Sequence, residues 1–189
     1  EMGKLVTNSS PRNQDQALAL AEAYTELSEI IPLHFSATEA KEAHDQALQI
    51  LLDLNRMHPT WAEVKFLLAR NYGALAGLER DTGGTAAAIK KKQDAIEFMC
   101  EIAAESKGNA RYTYHLARLK GEYAELMCDL GRAKEAVPVA RTAVEALVDV
   151  IGLAVPEKLA PQDKEWRVGL AQLYGVLGQA AQAADQDAV

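Results

Sequence analysis

The apolar positions of this chain recur at spacings of three and four, the mark of helices that bury one face. Ile50, Leu51 and Leu54 show the pattern in one stretch, and Val144, Leu147, Val148 and Ile151 in another. Read along the chain, it predicts seven helices, over about 14–31, 37–57, 60–80, 85–106, 109–130, 133–152 and 163–184. Polar stretches and turn formers fall between them. Gly83-Gly84 and Gly131 mark two turns, and Thr60 with Glu63 after Pro59 reads as a capping box that opens the third helix. Helices of about 20 residues are about 30 Å long.

The pattern also repeats at long range. Leu20-Ala21, Leu68-Ala69 and Leu116-Ala117 are 48 residues apart, as are Ala40, Ala88 and Ala136. Ala47, Ala95 and Ala143 keep the same step. The Leu-Ala pair returns at Leu170-Ala171, 54 residues on, and the extra six fall in 151–162, rich in Pro and Gly and read as a longer loop. Each unit therefore holds a first helix, A, and a second, B. On the A helices the small residues Ala21, Ala69, Ala117 and Ala171 share a face with Thr25, Gly73, Gly121 and Gly175 one turn later. Glycine in mid-helix costs about 1 kcal/mol against alanine. Its return at three equivalent sites predicts close approach of a neighbouring helix backbone.

These residues resemble the tetratricopeptide repeat. The first-helix signature stands here as Leu20-Ala21-x-x-Tyr24, Leu68-Ala69-x-x-Tyr72 and Leu170-Ala171-x-x-Tyr174, with Lys120 replacing tyrosine in the third unit. The second-helix alanines, seven apart, are Ala40/Ala47, Ala88/Ala95 and Ala136/Ala143, and Pro59 and Pro161 close two units. The family's period is 34 and this one is 48, the surplus dividing into two insertions of seven, each close to two helical turns. The stretch 130–147, "LGRAKEAVPVARTAVEAL", is also similar to repeat regions of bacterial serine/threonine kinases. The resemblance implies an all-α, right-handed α-solenoid (a superhelix) of antiparallel helix hairpins. The expected organisation is an N-terminal extension over 1–13 and one repeat domain over 14–189. Its units span about 14–59, 60–107 and 108–160, with a terminal capping helix over 163–185.

In that family the A helices line a concave surface that holds a peptide or a partner's helix. Placed on this chain, the surface would carry Arg70, Arg111, His115 and Arg118 toward one end. Glu26, Glu29, Glu122 and Glu125 would stand toward the other, with Gln172 alongside. Such a bipolar groove would orient a peptide, the arginines taking a carboxylate in bidentate fashion. The plain alternative is solvated charges and on-helix pairs such as Arg118–Glu122. The expected function is a non-catalytic protein- or peptide-binding scaffold. The alternative is a regulatory segment of a larger enzyme, a serine/threonine kinase whose catalytic domain lies outside this chain.

Composition narrows the field further. With 49% apolar residues a real core can be buried, and a net charge of −7 argues against general nucleic-acid or anionic-membrane partners. No apolar run approaches the roughly 20 residues of a membrane span, so a cytoplasmic location is expected. The chain begins at Glu1 and reads as a mature chain or an excised piece. Self-association through exposed solenoid ends is a further expectation. Cys100 and Cys128 read as small buried apolar side chains. His34, His44, His58 and His115 lack ligand spacing and read as surface or capping residues. Lys90, Lys91 and Lys92 point to different helix faces and read as solvated. Tyr72, Tyr174, Trp61 and Trp166 read as packing groups. No nucleophile elbow, zinc-helix motif or phosphate loop occurs, so no catalytic residue, cofactor or metal site is expected.

Overall fold

A computed structural model describes residues 11–30, 37–153 and 161–186. Among these there is no strand, and seven helices follow one another. They are α1 (Pro11–Ile30), α2 (Ala37–Met57), α3 (Ala62–Asp81), α4 (Thr85–Glu105), α5 (Ala110–Asp129), α6 (Ala133–Leu153) and α7 (Pro161–Gln186). Each boundary lies within one helical turn of the predicted one. Most of the predicted 1–13 extension, and residues 154–160 of the predicted long loop, lie outside the described residues, as does His34.

The chain gathers into two compact units, the division falling within α4 between Phe98 and Met99. Both units use the same three-helix arrangement. In the first, α2 packs on α1 and α3, and α1 also meets α3. In the second, α6 packs on α5 and α7, and α5 also meets α7. Each is thus an A–B hairpin with the following A helix stacked upon it, the local arrangement of an α-solenoid.

The turns repeat as faithfully as the helices. Gly83 and Gly131 both have positive φ, 84° and 70°. After each glycine, the N–H of the next residue reaches back five positions. Gly84 donates to Glu79 O at 2.7 Å and Arg132 to Met127 O at 2.8 Å. Only glycine enters the left-handed region at little cost, so these two positions end their A helices and reverse the chain.

The first core joins Ala17 and Ala21 of α1, Ile50, Leu51 and Leu54 of α2, and Val64, Leu67 and Leu68 of α3. The second joins Tyr114 and Ala117 of α5, Ala143, Val144 and Leu147 of α6, and Leu173 of α7. Removing such side chains from water supplies the main driving force, about 1.5–3 kcal/mol for each fully buried large apolar group.

Five expectations need correction. The predicted capping box is absent, because α3 starts at Ala62 with Trp61 as its N-cap and no side-chain cap bond, which leaves Thr60 in the preceding turn. His44 is 2% exposed rather than superficial. Its Nδ1 lies 2.9 Å from Asn71 Oδ1, a partner that burial of an imidazole demands. Lys92 is 3% exposed, and its ammonium donates to Gly73 O at 3.0 Å. The long stem is buried while the charge meets a carbonyl, which spacing alone does not reveal. Cys100 is an exposed free thiol, and Cys128 is half-buried. Tyr174 is 53% exposed, because α7 turns Leu173 and Val176 inward and leaves the tyrosine face outside.

Candidate functional site

Helix α5 is anchored at its start by Asn109, whose side chain accepts from the N–H groups of Arg111 (3.1 Å) and Tyr112 (3.4 Å). From that cap, Arg111, His115, Arg118, Glu122 and Glu125 follow at steps of four, three, four and three. That spacing places all five along one stripe of the helix, over about 21 Å.

The stripe borders the contact between α5 and α7. Tyr114 is 5% exposed and lies against Gly169, where a Cβ would stand 2.9 Å from the tyrosine ring. The reciprocal fit is Leu173 on Gly121, whose missing Cβ leaves the space that Leu173 Cδ2 takes. The recurring small position of the repeat therefore seats a neighbour's side chain here, rather than its backbone as expected. Tyr114 also stacks on Trp166, with centroids 6.1 Å apart, and its hydroxyl donates to Glu165 Oε1 at 3.2 Å. Burial pushes the Tyr114 phenol above its usual range. The charge of Glu165 adds to the rise, and Arg118 opposes it.

Two clefts open along this contact, with Tyr114 as their shared wall. One, of 370 Å³, is lined on the α5 side by Arg118, Glu122 and Glu125 and on the α7 side by Gln172, Leu173 and Val176. The other, also 370 Å³, is lined by Arg111 and His115 with Glu165 and Trp166. Six of the predicted site residues thus stand on two adjoining clefts of the second unit: Arg111, His115, Arg118, Glu122, Glu125 and Gln172. Glu26 and Arg70 belong to the first unit, Glu26 exposed on α1 and Arg70 half-buried on α3. The side chain of Glu29 lies outside the described residues. Arg118 and Glu122 approach to 3.5 Å as an exposed on-helix pair.

Sequence reasoning missed Tyr114 and Glu165. A usable signal existed for Tyr114. Three residues before each repeat alanine stand Leu18, Phe66, Tyr114 and Val168, bulky in every unit. Among the described residues no group of three His, Cys, Asp or Glu side chains is placed to hold a metal. No described helix is long and apolar enough to cross a membrane.

No family model and no curated protein matches this chain. Among solved structures, a de novo designed helical repeat protein, DHR64, is similar at 19% identity and TM-score 0.36. The match covers 97% of this chain and 96% of that one. The DHF79 filament is similar at 18% identity and TM-score 0.35, covering 93% and 95%.

Proposed function

We propose that the paired clefts between α5 and α7 bind an extended peptide segment of a partner protein, and that the chain is a non-catalytic, tetratricopeptide-like scaffold. The observation that supports this is the order of charge on α5. Its basic groups, Arg111, His115, Arg118 and Lys120, all precede its acidic ones, Glu122, Glu125 and Asp129. Its first turn holds no acid and its last turn no base.

Helix stability favours the opposite order. The helix macrodipole puts partial positive charge at the N-terminus and partial negative charge at the C-terminus, so acids belong early and bases late. The Arg118–Glu122 pair likewise runs in the weaker direction for an i,i+4 pair. The arrangement gives up a few tenths of a kcal/mol per charge at exposed sites. In return, side chains and backbone dipole add to one bipolar field along the groove. A peptide with an acidic residue over Arg111 and Arg118, a basic one over Glu122 and Glu125, and an apolar side chain between them on Leu173 would match it. The exposed Arg118–Glu122 pair opens at a cost of about 1 kcal/mol or less.

Selection from a displayed random-peptide library tests the reading. The wild-type chain should enrich peptides with an acid and a base separated by an apolar residue in one fixed order. The double variant Arg111→Glu, Arg118→Glu should lose that motif. Enrichment of the same motif by both proteins would remove the groove assignment.

A further inference from the structure

One face of α7 stands uncovered, opposite the face that buries Leu173 and Val176. Its large apolar groups are Val168, 60% exposed, and Tyr174, 53% exposed. Ala171, Gly175 and Gly178 on the same face are exposed as well. A Cβ added at Gly175 or Gly178 would meet nothing within 4 Å, so among the described residues no neighbour calls for glycine at either place. Each glycine costs α7 about 1 kcal/mol against alanine. Together they leave a smooth strip on which another helix can lie close, with the valine and the tyrosine along its sides.

The charges identify the occupant. Lys164 and Arg167 stand toward the start of this face and Asp185 at its end, all three exposed. The last turn of α7 holds no base. As on α5, this order opposes the one that helix stability favours. The other two charges of α7 stand aside. Glu165 is turned to α5, where it accepts from the Tyr114 hydroxyl, and Asp163 falls at the edge of the face by helical spacing. Turned end for end, the face is therefore its own complement. Lys164 and Asp185 each lie ten residues from the Tyr174–Gly175 pair at its middle, and Ala171 and Gly178 each lie three. We propose that a second copy of this chain docks here, the two α7 helices antiparallel about a two-fold axis through that pair. Lys164 and Arg167 of each copy then meet Asp185 of the other. Ala171 of each copy lies on Gly178 of the other, and the two Tyr174 rings come together beside the axis. The contact is isologous and closes at two copies. A single helix pair stands at the low end of interface sizes, so the dimer is weak and reversible.

Sedimentation of the full chain from micromolar to millimolar concentration tests this. The average mass of the wild type should climb and level at that of a dimer. Ala171→Arg sets a bulky charge in the middle of the face and should sediment as a monomer. Asp185→Lys opposes like charges at both ends of the pair and should raise the dissociation constant about tenfold or more. Adding Lys164→Glu and Arg167→Glu to Asp185→Lys inverts the face and should bring the dimer back. All these sites are exposed, so each variant should keep the helical circular dichroism of the wild type. A wild type that stays monomeric throughout would overturn the proposal. So would a mass that climbs past that of a dimer, which would mean two different faces in contact. A dimer that survives Ala171→Arg, or an inverted triple variant that stays dissociated, would overturn it as well.

Discussion

The two units solve one packing problem with opposite chemistry. In the first, the layer where the A helices meet is polar. Thr25 donates to Ala21 O at 2.8 Å and accepts from Asn71 Nδ2 at 2.7 Å. Asn71 also donates to Leu67 O and faces His44 Nδ1. In the second unit the same frame positions hold Gly121, Ala140 and Leu173. There the leucine fills the hollow over the glycine, and no polar group is involved. The helices and their packing partners match, yet one layer is held by a hydrogen-bond chain and the other by shape. The repeat specifies which positions form the layer and leaves their polarity open. The polar version fixes register more strictly, because a misplaced partner strands a buried donor or acceptor.

The sharpest way to break the comparison is Asn71→Leu. It imports the second unit's residue without its companions and removes the Asn71 contacts of His44 Nδ1 and of the Thr25 hydroxyl. We expect a loss of about 3 kcal/mol in urea unfolding, from two buried polar groups at about 1–3 kcal/mol each. Adding Thr25→Gly and His44→Ala completes the apolar set and should recover most of that loss. A triple variant no better than the single one would show that the two layers are not equivalent. Next in size is Gly121→Thr, which drives a side chain into Leu173. Overpacking of this kind costs about 2 kcal/mol. Leu173→Asn with Ala140→His, which rebuilds the polar set around it, should reduce the cost.

A smaller effect belongs to Pro138, inside α6, where the first unit has Glu42. Proline there leaves the carbonyl four residues earlier without its helical donor. Pro138→Glu should stabilise the chain by about 1 kcal/mol or more, read as a rise in the unfolding midpoint. The smallest effect is alkaline. The Tyr114 phenol is raised in the folded chain from its ordinary value of 10.0. The unfolded chain therefore ionises first, and the contribution present below pH 10 is lost as pH climbs through the folded value. Leu18 holds that place in the first unit. Tyr114→Phe should flatten the decline in stability above pH 10.

Much of the fold was legible because it rests on residues that must be small or apolar wherever the frame recurs. Ala21, Ala69 and Ala117 are buried alike, and Gly83 and Gly131 turn the chain alike. What escaped was pairing across the repeat. His44 and Lys92 occupy one frame position and look like surface residues in sequence. Each meets a partner across the repeat, Asn71 for one and the Gly73 carbonyl for the other. Periodicity records which face a residue occupies, and it is silent about which atom meets it there. For the groove, the charged stripe was visible in sequence, whereas the wall formed by Tyr114 and Trp166 depends on how α7 lies on α5. Tyr174 was misjudged for the same reason. Its signature matches the other units, but no described helix stacks on its side of α7.

The seat of Leu173 on Gly121 also constrains history. Neither position is free to drift alone. A larger residue at 121 is barred until 173 has shrunk, and a smaller residue at 173 opens a void until 121 has grown. A lineage passing from the apolar layer to the hydrogen-bonded one must cross a weakened ancestor, in a fixed sequence of substitutions. Sister repeats born as copies of one another would, once they had crossed, be held apart by that barrier.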